Sequence, residues 1–466
     1  MSIRDLFVAA VVIGSLPLCY RKTLIGLLMF SLLAYMRLQD LAWGFARFER
    51  WSYYVALVTF AGYLADREKK GIVIEVRTVL MMLLAAMLGI GLAQGKGPGK
   101  LDWAPYFEFC KIIGVALFTT SVVRTRSHLR VLVWLITLSF AFYGVKSGIH
   151  GVVSLGRLKI IEGPGGMLKD NNDFALAMVM AIPLLLHLAL SEKREALRRP
   201  LFAFIPLTMI TIMATHSRGA AVSLAATLML LVWRSKNRLA GFLIGACVVV
   251  AGVAFAPKTY LERLETIREY EEDGSAMGRI AAWKVAGRMV QESPIFGVGL
   301  DRFQQNYLLY EPNPTPQQIA GVGGTRVAHN SYFQIWAEGG TPALLIYLTL
   351  IALTFLDLWS VRRQAKRRYH RSWILSYCAM FEASLAAFVV GSTFLNRAHF
   401  DLIYHYFAIV LIFGRIARQE MASLATQPTR RQGRRGGGAL VAVERRGFAR
   451  STRPERTFRT TPLVPR

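Results

Sequence analysis

What most constrains this chain is a succession of apolar stretches, each long enough to cross a bilayer as a helix, separated by short basic clusters. They run over residues 78–95, 107–123, 131–149, 173–191, 200–215, 219–233, 239–257, 340–360, 373–395 and 399–417, with a shorter stretch at 51–64. In hydrocarbon each backbone N–H and C=O has to be satisfied within its own segment, so such stretches span as α-helices. The first 36 residues hold two apolar runs broken by Pro17 and Arg21-Lys22, which fit either a short hairpin or one long, kinked element. No cleavable signal peptide is expected, because Arg21-Lys22 and not a small-residue cleavage site follows the first run. The expected fold is all-α, a polytopic membrane bundle of about twelve transmembrane helices with one large outer loop.

Charge sets the orientation. The 466 residues combine 54% hydrophobic content with 56 Lys+Arg against 29 Asp+Glu. The basic side chains are segregated into Arg21-Lys22, Arg124 to Arg130, Glu192 to Arg199, Arg234 to Arg238 and Arg362 to Arg371. A nucleic-acid binder gathers its charge on one folded face. This alternation reads instead as positive-inside topology, with membrane lipids and not nucleic acid as the partner. The cluster at 362–371 and the arginine-rich tail belong in the cytoplasm, which puts residues 258–338 outside. That segment carries a net charge of −2, against +10 for 415–466.

Four regions follow: a transmembrane bundle over 1–257, an outer loop domain over 258–338, further spans over 339–417, and a basic tail over 418–466. The tail has too few large apolar residues to fold and is expected to be disordered and to touch anionic lipid. Its last residues, Leu463-Val464-Pro465-Arg466, resemble the remnant of a tag-removal protease site and are set aside. Cys19, Cys110, Cys247 and Cys378 lie in or beside apolar runs without ligand spacing, so they read as packing residues.

A loop of that length inside a bundle is usually functional. Thr259 to Glu272 has helical composition, and Gly278 to Glu292 places Ile280, Trp283 and Val290 on one face, with Gly287 leaving room there for a close neighbour. Ser293-Pro294 and the Gly297-Val298-Gly299 turn end that helix. The loop is expected to pack as a lid of short helices.

Where the loop re-enters the apolar region stands Ala328-His329-Asn330-Ser331-Tyr332. Histidine takes and gives a proton near neutrality, and Asn330 and Ser331 favour a helix N-cap. His329 is therefore a candidate general base or an interfacial residue that helps start a helix. Arg218, in Thr215-His216-Ser217-Arg218-Gly219, holds a guanidinium at a span boundary, as an anion ligand or as a snorkelling anchor. Arg279 stands near a helix start, where a cation opposes the dipole unless an anion is nearby; a solvated surface arginine is the alternative. Lys169, Asn172 and Arg397, in outer loops beside spans, and Asn330 and Tyr332, beside His329, are weaker candidates, with capping or anchoring as their other role. Glu382, inside a span, is a functional or a hydrogen-bonded structural carboxyl. Glu271-Glu272-Asp273 is read as solvated, so no metal site is assigned. The chain has no phosphate-loop lysine motif, which speaks against nucleotide-driven transport.

Taken together, Ser217-Arg218-Gly219, Gly278-Arg279 with Trp283, Pro294 with Gly297-Val298-Gly299, and His329-Asn330-Ser331-Tyr332 resemble the bacterial O-antigen ligase and polymerase superfamily. The resemblance implies an inner-membrane glycosyltransferase of the GT-C type whose active site faces the periplasm. Such an enzyme takes a glycan from undecaprenyl diphosphate and joins it to lipid A-core, with inversion and without a metal or other cofactor. His329 matches the family's essential loop histidine, and Arg218 and Arg279 match its two essential arginines. An O-antigen polymerase, a protein O-oligosaccharyltransferase and a lipid-linked glycan transporter are the competing expectations.

Overall fold

The computed structural model describes residues 2–95, 97–234, 274–314, 324–369 and 372–425. The span expected at 239–257, the helix expected over Thr259 to Glu272, the acidic run at 271–273, Cys247 and the tail beyond 425 lie outside the described residues. Among the described residues the architecture is helical, and the one β-bridge joins Glu162 to Asp170.

The first 36 residues form a hairpin and not a kinked element. Helix α1 (Ile3–Arg21) keeps Pro17 inside it, Lys22 turns the chain in extended geometry, and α2 (Thr23–Tyr35) returns. Asp5, near the start of α1, accepts from the backbone N–H of Gly44 and Ala46, which lead into α3 (Phe45–Phe48) and α4 (Trp51–Ala65). At the far end of α1, Gly62 of α4 sits against the Tyr20 carbonyl, and Gly26 of α2 sits against Thr59. Helix α4 therefore runs parallel to α1 and antiparallel to α2.

The chain continues through α5 (Val76–Ala93), α6 (Ala104–Val122), α7 (Arg126–Val153), α8 (Asn171–Ser191), α9 (Glu195–Ala214) and α10 (Arg218–Arg234). After the loop helices α11 (Gly274–Glu292) and α12 (Phe303–Tyr310) come α13 (Ser331–Gln364), α14 (Ser372–Gly391) and α15 (Asp401–Ala425). Seven of these, α1, α5, α7, α8, α9, α13 and α14, are long and apolar enough to cross a membrane by length and composition. The chain is thus a multi-pass helical membrane protein. Helix α8 is its centre: α7, α9, α10 and α14 pack around it, and 83% of its apolar window is buried.

Several buried polar groups are paired across helices. His405 of α15 bonds the Tyr35 hydroxyl at 2.6 Å and Thr119 at 3.0 Å, tying α15 to α2 and α6. Asp357 of α13 receives Arg77 of α5 at 2.6 Å and also Arg418 of α15. Glu382 takes Arg234 and Arg362, each at 2.8 Å, so it is the shared carboxylate of an ion-paired cluster joining α10, α13 and α14. Cys19 and Cys378 are buried free thiols.

The loop helices dock on a break in α13. At Gly340, φ is 77° and ψ −179°, and a Cβ there would stand 2.3 Å from the Ile295 carbonyl oxygen. Proline at 342 has no N–H for the Glu338 carbonyl, and the Thr341 N–H turns to Pro294 O at 2.8 Å. The two carbonyls left over are satisfied by the loop, Ala337 O by Val298 N–H at 2.9 Å and Glu338 O by Gly299 N–H at 3.0 Å. The Gly297-Val298-Gly299 turn thus does more than end a helix. It seats the loop domain on the bundle.

One expectation about that domain differs. Helix α11 buries Ala282, Val285, Ala286 and Met289 in a small core with Phe303 and Tyr307, whereas a Cβ at Gly287 would meet nothing within 4 Å. Of the expected Ile280–Trp283–Val290 face Val290 is buried and Trp283 half-buried, but the buried face centres on Ala282, Val285, Ala286 and Met289 and leaves Gly287 without a close neighbour.

Candidate active site

Asn330 starts α13: its Oδ1 accepts from the N–H of Tyr332 at 2.9 Å and of Phe333 at 3.2 Å, satisfying donors that have no intrahelical partner. His329, just before the cap, has φ 46°, a left-handed conformation uncommon for a residue with a Cβ. It turns the irregular chain at 324–328 into the helix and leaves the residue exposed.

Two sets of contacts hold this corner. From the loop domain, the Trp283 indole N–H donates to the Ala328 carbonyl at 2.9 Å, and its ring stacks on Phe333 at 5.2 Å and 3°. From the α14–α15 connection, Ser392 O accepts from Ser331 N–H at 2.8 Å, and Thr393 O accepts from the Asn330 amide at 3.2 Å. Ser331 Oγ donates to Leu395 O and accepts from Arg397 N–H, and Gln334 Oε1 accepts from Ala398 N–H.

The same connection reaches α10. A Cβ at Gly219 would be 2.6 Å from Phe394, so the first turn of α10, where Arg218 is half-buried, lies against this loop. The start of α8 joins it from the other side. The Asn171 amide donates to Thr215 O at 3.0 Å, three residues before Arg218, and Asp170 caps α8 by accepting from Asn172 N–H at 2.8 Å. One rim therefore gathers the beginnings of α8, α10 and α13 with the end of α14.

Arg279 lies one turn before Trp283 on α11, and residues four apart share a helix face, so both address the His329 corner. Helix α11 already runs from Gly274, which puts Arg279 more than a turn inside it and not at its first turn. Its guanidinium, with that of Arg326, acts on the imidazole. Desolvation first, then Arg279 and also Arg326, lower the His329 pKa below its ordinary value, and Asp170 pulls the other way. The result favours a neutral ring within a cationic surround, able to accept a proton beside a place suited to an anion.

The remaining expected residues have assigned partners. Arg397 pairs with Asp173 at the start of α8. The Tyr332 hydroxyl donates to Val389 O at 2.9 Å. The Asn172 amide donates to Asp170 Oδ1 and Asn171 Oδ1. Lys169 is exposed, its carbonyl accepting from Gly163 N–H. Arg326 enters the site from the structure, and Asp170, in the same loop as Lys169 and Asn172, acts on His329 as well. For Arg326 the signal in the sequence was its place three residues before His329; in the fold its guanidinium lies against Gly278 of α11. Asp301 is a further carboxyl on the loop, its pKa raised by burial first and then by Asp102, with Arg397 opposing.

A family model described as O-antigen ligase matches residues 201–348, which contain Arg218, Arg279 and His329. A family of unknown function matches residues 3–193, from α1 through α8. No curated protein matches the chain.

Proposed function

We propose, from the O-antigen ligase family match over residues 201–348, that this chain transfers a glycan from undecaprenyl diphosphate to lipid A-core at the periplasmic face of the bacterial inner membrane. The observation that carries the reading is the His329 corner, where a ring with a lowered pKa is accessible between Arg279 and Arg326.

In the proposed reaction an acceptor sugar hydroxyl attacks the anomeric carbon of the donor. His329 takes the hydroxyl proton as the new C–O bond forms. The bond to the lipid diphosphate breaks, and the diphosphate leaves with the electron pair. Its growing charge is met by the guanidinium groups of Arg218 and Arg279, which stay charged at any working pH and bind phosphate oxygens in pairs. Backbone N–H groups at the start of α10 add to the Arg218 side. Attack opposite the leaving group inverts the anomeric centre.

The test is transfer in a purified system containing undecaprenyl diphosphate-linked glycan, lipid A-core, detergent and chelator. The wild type is expected to form ligated lipopolysaccharide, and a normally inserted His329→Ala protein none. Full activity in that variant would overturn the role of His329. No product from the wild type with donor binding retained would overturn the acceptor and favour a polymerase, a protein acceptor or a transporter.

A further inference from the structure

At the opposite end of α8 and α14 from His329, the bundle opens into a cavity of about 850 Å³. It lies among the starts of α7, α9 and α14 and the end of α8, the end of the bundle that carries the basic clusters. Its volume is in the range of pockets that hold whole small ligands. The glycosyl-transfer reading makes no use of it.

Four cations line it, Arg126, Arg130, Lys193 and Arg194, against a single lining carboxylate, Glu192. Glu192 is 3.4 Å from Arg130. Among the described residues no carboxylate lies within ion-pair distance of Arg126, Lys193 or Arg194. The Arg126 guanidinium is instead laid over the Trp373 ring at 4.3 Å, which fixes it at the cavity wall. Two leucines of the lining, Leu190 and Leu197, are 66% and 44% exposed, so the cavity is cationic inside with an apolar border facing the lipid.

We propose that this cavity is a binding site for the phosphate headgroup of an anionic phospholipid, with the acyl chains against Leu190 and Leu197. The charge excess demands an anion, and phosphate oxygens suit arginine forks. Basic pockets between membrane helices on such an end recognise lipid headgroups. The apolar border favours a lipid over a soluble phosphate, which would leave those leucines uncovered.

The test uses the full chain, delipidated in detergent, with binding of phosphatidylglycerol and of phosphatidylethanolamine measured by native mass spectrometry. Each basic side chain at a membrane surface is worth roughly fivefold in affinity. The double variant Lys193→Gln with Arg194→Gln is therefore expected to bind phosphatidylglycerol about 30-fold more weakly. Arg198→Gln with Arg199→Gln, on the first turn of α9 just beyond them and not among the lining residues, serves as the control and is expected to bind as wild type does. Equal binding by wild type and the cavity variant, equal loss in both variants, or no preference over phosphatidylethanolamine would each overturn the site. Displacement of the lipid by millimolar inorganic phosphate would overturn the lipid as its occupant.

Discussion

The Trp283 indole N–H donates to the carbonyl of Ala328 at 2.9 Å, so a loop helix holds the residue immediately before His329. The imidazole is thereby aimed by a group that belongs to neither its own helix nor the bundle. Replacing Trp283 with Phe keeps the stack on Phe333 and removes this hydrogen bond. The expected cost is about 1 kcal/mol in thermal stability, with roughly a tenfold fall in transfer from the loosened geometry. Wild-type transfer by Trp283→Phe would reduce Trp283 to packing.

The lowered pKa of His329 fixes a sign for pH dependence. A ring with an ordinary pKa of about 6.5 is half protonated at that pH, and His329 is less so. The acid limb of kcat/KM is therefore expected below that value. Arg326→Gln removes one of the cations that depress the pKa, so the limb should move to higher pH. Asp170→Asn removes the opposing charge, and the limb should move lower. Profiles of the three proteins measured side by side check both directions.

Arg218→Lys keeps the charge but loses the planar pair of donors. If Arg218 meets the leaving diphosphate, transfer should drop about 100-fold while the protein inserts and unfolds as wild type does. An anchoring arginine would tolerate the change, and a single-turnover assay with saturating donor separates the two.

Arg397 and Asp173 form a pair in which the carboxylate side chain is 4% exposed. Arg397→Gln strands that carboxylate, at an expected cost of about 3 kcal/mol in thermal unfolding. Adding Asp173→Asn should recover most of the loss, and transfer should return with it. A refolded but inactive double variant would mean that Arg397 touches the donor.

The sequence made the bundle and the His329 corner legible for local reasons. Asn330 announces a helix start through its side chain alone, and apolar runs of span length admit few structures. Arg279 and Trp283 were readable as neighbours because four residues make one helical turn. The electrostatic reach of Asp170 to His329 was not, because it comes through the docking of a separate segment. The first 36 residues stayed ambiguous between hairpin and kink because Lys22 resolves them only through tertiary contacts of Asp5 and Gly62. The offset face of α11 has the same origin: Gly287 fits a close-packing stripe by spacing, yet the residues buried in the loop core are Ala282, Val285, Ala286 and Met289. The split of α13 at Gly340 was half visible. Glycine and proline mark a break, but which groups rescue the freed carbonyls is written forty residues earlier, at Val298 and Gly299.

The enclosure of α8 bears on how the protein meets membranes of different thickness. A single span answers a thicker or thinner bilayer by changing its tilt. With α7, α9, α10 and α14 packed around it, α8 has no such freedom. Accommodation falls to the lipid itself or to a helix with an open flank such as α1, of whose apolar window only 28% is buried. The fixed length of α8 then sets the hydrophobic thickness that the helices packed around it have to match.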